Sequence, residues 1–171
     1  MDQAAEREFR EYVAARQGTL FGVALLLTGH REDAEDLLQT VLAKLASRWP
    51  KVSRTGSPDA YVRKMLYHQQ ISRWRGRRHR REYPAAVLPE PPAAGDPATD
   101  SAVRIAVAQA LSRLTSRQRA VIVLRYYEDL PEAEMAKVLG CGVGTVRSQV
   151  HRTLARLRVV CPELTSMLED A

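Results

Sequence analysis

The sequence predicts an all-α protein of two small helical domains joined by a flexible linker, the C-terminal one a helix-turn-helix. Three observations predict it. Apolar residues recur every three or four positions through each long segment, and no stretch keeps the apolar–polar alternation of a strand. Residues 83–100, "YPAAVLPEPPAAGDPATD", hold five prolines without a regular period, which reads as an extended tether. The domains that follow are 1–81 and 101–171, with a linker at 82–100, and a chain of 171 residues has enough apolar content for both to have a core.

In the first half, "GTLFGVALLLT" precedes "REDAEDLLQTVLAKLASRW". There Ala34, Leu37, Leu38, Val41, Leu42, Leu45 and Trp49 form one helical stripe. Glu32, Asp33, Glu35 and Asp36 crowd its first turns, where acids suit the helix dipole. Ser57-Pro58-Asp59 reads as an N-cap with proline at the first helical position, opening a helix from Pro58 to Arg81. In the second half, Val103, Val107, Ala110, Leu111 and Leu114 share a face. Thr115 and Gln118 form a capping box for a helix running through Tyr127. Another helix starts at Pro131 with Glu132 and Glu134 and ends at Gly140. The last carries Val143, Val146, Val150, Leu154 and Leu157 on one side.

Charge is unevenly placed. Residues 1–50 carry six basic and eight acidic groups, residues 51–81 ten and one, residues 82–100 none and four, and residues 101–171 ten and seven. The total of +6 points to an anionic partner, and the segments point to different ones. Two cysteines, Cys141 and Cys161, argue against a disulfide framework and fit a reducing cytoplasm. The longest apolar run, Val23 to Leu27, is far too short to span a bilayer, and no secretory signal opens the chain. Neither the cysteines nor His30, His68, His79 and His151 follow a zinc-ligand spacing, and a helix start accounts for the Asp33/Glu35/Asp36 acids without a metal. Neither a cofactor nor catalysis is expected.

Ala136, Gly140 and Val146 fall where a helix-turn-helix needs a small contact residue, a left-handed turn residue and a buried anchor. Thr145, Ser148, Gln149 and Arg152 then face outward, on a helix with no acid from Cys141 to Val159. Their hydroxyl, amide and guanidinium groups suit base edges and phosphates of a major groove. A solvated bundle face is the alternative, but it explains neither the missing acids nor the glycine turn. The segment "AYVRKMLYHQQISRWRGRRHRR" interleaves Tyr61, Tyr67 and Trp74 with cations. Cations follow phosphates, and aromatic faces stack on unpaired bases at about 1–3 kcal/mol each. Val62, Met65, Leu66 and Ile71 of the same helix must also form a core, so packing and stacking stay open for each aromatic.

Together, "TGHREDAEDLLQTVLAKLASRW", "DAYVRKML…ISRWRGRRHRR" and "ALSRLTSRQRAVIVLRYYEDLPEAEMAKVLGCGVGTVRSQVHRTLARLR" resemble bacterial sigma-70 RNA polymerase sigma factors. The likeness is to the two-domain extracytoplasmic-function (ECF) group, in its sigma-E-like branch. It implies that residues 1–81 dock on core RNA polymerase and recognise and melt the −10 element, and that residues 101–171 read the −35 element. It places polymerase contacts at Asp33, Asp36, Gln39 and Thr40, with Leu37 and Leu38 mainly core. It places −10 contacts at Tyr67, His68, Gln69, Gln70, Arg73, Trp74, Arg75, Arg77 and Arg78, and −35 contacts at Thr145, Arg147, Ser148, Gln149, His151 and Arg152. The implied partners are core polymerase (the β′ clamp helices and the β flap) and promoter DNA, with an anti-sigma factor as a candidate. Two positions depart from the family pattern: His68 stands where Asn is common, and Gly142 where Ser is the usual N-cap. The rival class is a stand-alone helix-turn-helix regulator, which accounts for residues 101–158 but leaves the acidic and aromatic helices of the first half without a task.

Overall fold

The structure is a computed structural model and describes residues 3–77, Val107 and residues 110–162. Every regular element among them is helical. The expected tether and the stretch from Arg78 to Arg81 lie outside the described residues.

Three helices build the first half: α1 (Gln3–Thr28), α2 (Arg31–Val52) and α3 (Pro58–Arg77). The α2 stripe is buried as its spacing predicts, with Leu42 half-buried at the edge. Helix α1 begins well before the "GTLFGVALLLT" run. Its early turns are held by Trp49, against which Phe9 sits edge-on with ring centroids 5.5 Å apart and Tyr12 at 4.8 Å. The Tyr12 hydroxyl donates to Asp59 at the start of α3, 2.9 Å away. Gly29, at φ 78°, ends α1 and lets α2 turn back on it.

In the second half the Thr115–Gln118 capping box forms in both directions and starts α4 (Ser116–Ile122). Instead of running on as an α-helix to Tyr127, α4 widens into a π turn at Val123–Tyr127, closed by the Glu128 amide donating to Val123 O at 3.0 Å. Such widened turns redirect the side chains that follow. Then come α5 (Glu132–Leu139), Gly140 at φ 63°, and α6 (Val143–Val160). Ala136 and Val146 are buried on either side of that glycine. Val143 departs from the predicted apolar face: it is 37% exposed, in a first turn whose Gly144 and Thr145 are exposed as well.

The two halves do not have separate cores. Ala110, Leu111, Leu114, Ile122 and Leu157 form a small cluster inside the second half. Val121, Val123, Leu124, Met135, Leu139 and Val146 instead join the cluster of α1, α2 and α3. The cause is local: Ala120 to Leu124 are apolar all round, so α4 has two faces to bury and only one is covered within its own half.

Thr115→Ala removes the hydroxyl that accepts from the Gln118 amide. It should lower the unfolding free energy by about 1 kcal/mol in chemical denaturation, typical of a lost N-cap. An unchanged midpoint would mean the cap contributes nothing.

Candidate nucleic-acid interface

Helix α6 presents Thr145, Arg147, Ser148, His151 and Arg152 to solvent. Gly142 occupies the N-cap with extended backbone and no side-chain cap, which leaves the first turn bare for an approaching phosphate. Ser148 donates back to Gly144 O at 3.0 Å. The acid-free face does meet one acid, supplied by α5: Arg147 pairs with Glu132 at 2.6 Å, on a rim where both remain partly exposed. Gln149 departs from the expected outward set. It is half-buried, and its Oε1 accepts from Arg117 of α4 at 3.0 Å.

Helix α3 divides the residues expected to read the −10 element. His68 and Arg75 are exposed, and Gln69 is half-buried and accepts from Lys44 at 2.5 Å. Partial burial first, and then Lys64 and Arg75, depress the His68 pKa below its ordinary 6.5, so the imidazole is neutral at physiological pH. Arg73 lies between helices, donating to Asp36 at 2.7 Å and to Thr40 at 3.3 Å. Tyr67, Gln70 and Trp74, expected as −10 contacts, are buried at 3%, 7% and 8% exposure, so of the two readings left open for the aromatics this structure has packing. The physical reason is that the second half covers this side of α3. The Trp74 ring lies under the Arg117 guanidinium at 5.5 Å. Tyr67 faces Glu128 of the turn after the π segment; burial and then that carboxylate drive its ionisation far above the usual phenol range. Helix α3 ends at Arg77, and Arg78 lies outside the described residues.

On α2 the expected docking positions form one patch. Asp36 and Gln39 are exposed, Asp33 and Thr40 are half-buried, and Leu37 and Leu38 point into the core. Arg73 ties this patch to α3 through Asp36.

Four residues that join the halves have no signature in the sequence. Arg119 of α4 is buried and donates to Leu27 O at 3.3 Å and Thr28 O at 2.5 Å, at the end of α1. Arg75 donates to Leu139 O at 2.6 Å, at the end of α5. Arg63 approaches Glu128 at 3.6 Å, and Arg117 touches both Trp74 and Gln149. Among the described residues no cluster of His, Cys, Asp and Glu could hold a metal ion, and no helix is long and apolar enough to cross a membrane.

Sequence comparison matches Sigma-70 region 2 over residues 12–80 and Sigma-70, region 4, over residues 104–157. The chain is 41% identical over 152 residues to the RNA polymerase sigma-E factor of Streptomyces coelicolor, covering 88% of this chain and 84% of that protein. It is 30% identical over 148 residues to the ECF RNA polymerase sigma factor SigL of Mycobacterium tuberculosis, covering 85% and 84%. Among solved structures, the sigma factor RpoE of Bartonella quintana, crystallised with the anti-sigma factor NepR, superposes with a TM-score of 0.62 at 22% identity. That superposition covers 92% of this chain and 98% of that one. With both sigma regions matched in order and only helices among the described residues, the protein belongs to the sigma-70 family of RNA polymerase sigma factors, in its extracytoplasmic-function group.

Proposed function

We propose that this sigma factor works by dividing promoter recognition among three surfaces and carries no chemistry of its own. In this reading residues 1–81 dock on core RNA polymerase and open the −10 element, residues 101–171 read the −35 element, and residues 82–100 span between them. The observation that carries the −35 assignment is the exposed Thr145–Arg152 face of α6, seated by Ala136, Gly140 and Val146 in helix-turn-helix geometry. Arg152 is the strongest candidate for a base edge, since its fork can grip a guanine bidentately. Arg147, Ser148, Thr145 and His151 flank it as phosphate or base contacts, and Gln149 joins them when released from Arg117.

Asp36 and Gln39, with Asp33 and Thr40 beside them, form the docking patch for the β′ clamp helices, and the β flap meets the second domain. That division explains a net-negative first segment in a DNA-binding protein. On α3, His68, Gln69, Arg73, Arg75, Arg77 and Arg78 line the path of the melted strand. Tyr67, Gln70 and Trp74 reach it only once the second domain has moved off. A trapped unpaired base offsets an unstacking cost of a few kcal/mol. Two weak readers held at fixed separation by the polymerase gain effective concentration that neither has alone. The setting is cytoplasmic, and an anti-sigma factor remains a candidate partner.

Polymerase pull-down with run-off transcription, on promoters found by mapping start sites after overexpression, tests the reading: specific transcripts should need both this chain and core enzyme. Absence of product with core enzyme and the mapped promoter would overturn it in favour of a stand-alone regulator. Arg152→Ala should weaken −35 discrimination by about 1–3 kcal/mol, and unchanged promoter preference would remove that assignment. Joint replacement of Asp36 and Gln39 by Ala should reduce holoenzyme assembly while helicity is kept; unaltered assembly would mean the docking face lies elsewhere. The His68 imidazole should titrate below 6.5 by NMR, and a midpoint above that value would mean that burial and the cations Lys64 and Arg75 do not act on it.

A further inference from the structure

We propose that Glu132 is a specificity-determining positioning residue: it holds Arg147 by Nε, so that the guanidinium meets a base edge with its terminal nitrogens and is withheld from phosphates along the duplex. The proposal deepens the reading of α6 as the −35 reader and rests on it.

The helix-turn-helix itself places the pair. Gly140, at φ 63°, turns the chain so that α6 packs against α5, with Ala136 and Val146 buried on either side of the turn. Glu132, in the first turn of α5, thereby reaches Arg147 on α6 across 15 residues of sequence, with a carboxylate oxygen 2.6 Å from Nε. An acid in the first turn of a helix suits the helix dipole. Glu134 stands there too, but it pairs within α5, with Lys137 at 2.7 Å. Glu132 places its charge on the neighbouring helix instead. From Cys141 to Val159 the chain has no acid, so a carboxylate on this face of α6 has to come from another element.

The Arg147 side chain is 70% exposed and that of Glu132 34%. Exposed ion pairs contribute little to stability, so the consequence of this one lies in where it puts charge. With Nε donating to Glu132, the two terminal nitrogens of Arg147 are left for a bidentate grip, the contact that picks out guanine in a major groove. A phosphate approaching on the Glu132 side would meet the carboxylate as well, and like charges repel. An unrestrained arginine binds any phosphate within reach, which adds affinity without sequence information. Glu132 removes part of that attraction and leaves the base contact, so discrimination rises even as total affinity falls. Phosphate can still be held at the bare first turn of α6, where Gly142 gives no side-chain cap, so orientation on the duplex does not require Arg147.

The test uses holoenzyme assembled from the full chain and core polymerase, with two duplexes: the mapped promoter and the same promoter with its −35 element scrambled. Glu132→Ala frees Arg147. It should tighten binding to the scrambled duplex and steepen the salt dependence there by about one phosphate contact. Discrimination between the duplexes should fall roughly tenfold, the share of one bidentate base contact. Glu132→Gln keeps an acceptor for Nε without the charge, and should tighten both duplexes while keeping most of the discrimination. In an Arg147→Ala background, Glu132→Ala should no longer alter discrimination. Unchanged discrimination in Glu132→Ala, an equal loss in Glu132→Gln, or an effect that persists without Arg147 would overturn the proposal. In the free chain, the Arg147 Nε–H proton signal should be held in wild type and in Glu132→Gln and lost in Glu132→Ala; its absence from wild type would also overturn the proposal. A wild-type holoenzyme with no preference for the mapped −35 element would strike the −35 reading, and the proposal with it, while the Nε–H signal would still report the pair.

Discussion

The guanidinium of Arg119 lies buried between the end of α1 and the turn that opens α4, donating to backbone carbonyls on both sides. Much of the architecture depends on that placement. A buried cation must be satisfied where it sits, because desolvation would otherwise cost more than its contacts return. Helix ends supply the needed carbonyls, and Gly29 supplies the access. With the end of α1 fixed on α4, the apolar residues Val121 and Leu124 meet the first half and extend its core. The π turn that follows brings Glu128 back toward Arg63 and Tyr67. Arg75 completes the arrangement from the opposite direction.

In the proposed reading, some of the residues that would meet promoter DNA are the ones packed between the two halves. An aromatic that will hold an unpaired base must be apolar and well ordered, and those properties also suit it to a seam. Trp74 and Tyr67 are thus stored against the second domain, Trp74 under a cation that would itself be drawn to phosphate. The outer face of α6 is left exposed, while Gln149 is withheld. The proposed docking positions Asp36 and Gln39 are both exposed on α2. Arg73 bridges from that helix to α3, so occupancy of the docking patch and the position of α3 share a side chain.

What the sequence could reveal was whatever is local. The α2 stripe, the Thr115–Gln118 box and the Ala136–Gly140–Val146 motif are set by spacings of three to ten residues, and each is found as read. The early turns of α1 were not legible, because their apolar residues Phe9 and Tyr12 are sparse and depend on Trp49 from another helix. The buried state of Tyr67, Gln70 and Trp74 was not legible either. Periodicity says that one face of α3 is apolar, but not how many neighbours cover it. Arg119 reads as an ordinary surface cation, since its partner at Thr28 is 91 residues away. One clue was present: Ala120–Leu124 is apolar on all sides, which requires a second surface to bury against.

The central claim is that the two halves share one core, pinned through Arg119 and Arg75. Spin labels at two exposed positions, Ala15→Cys on α1 and Ala155→Cys on α6, with Cys141 and Cys161 replaced by serine, would measure the separation of the domains. The account predicts a single short distance, narrowly distributed, in the free protein. A long distance or a broad distribution in the free protein would contradict it.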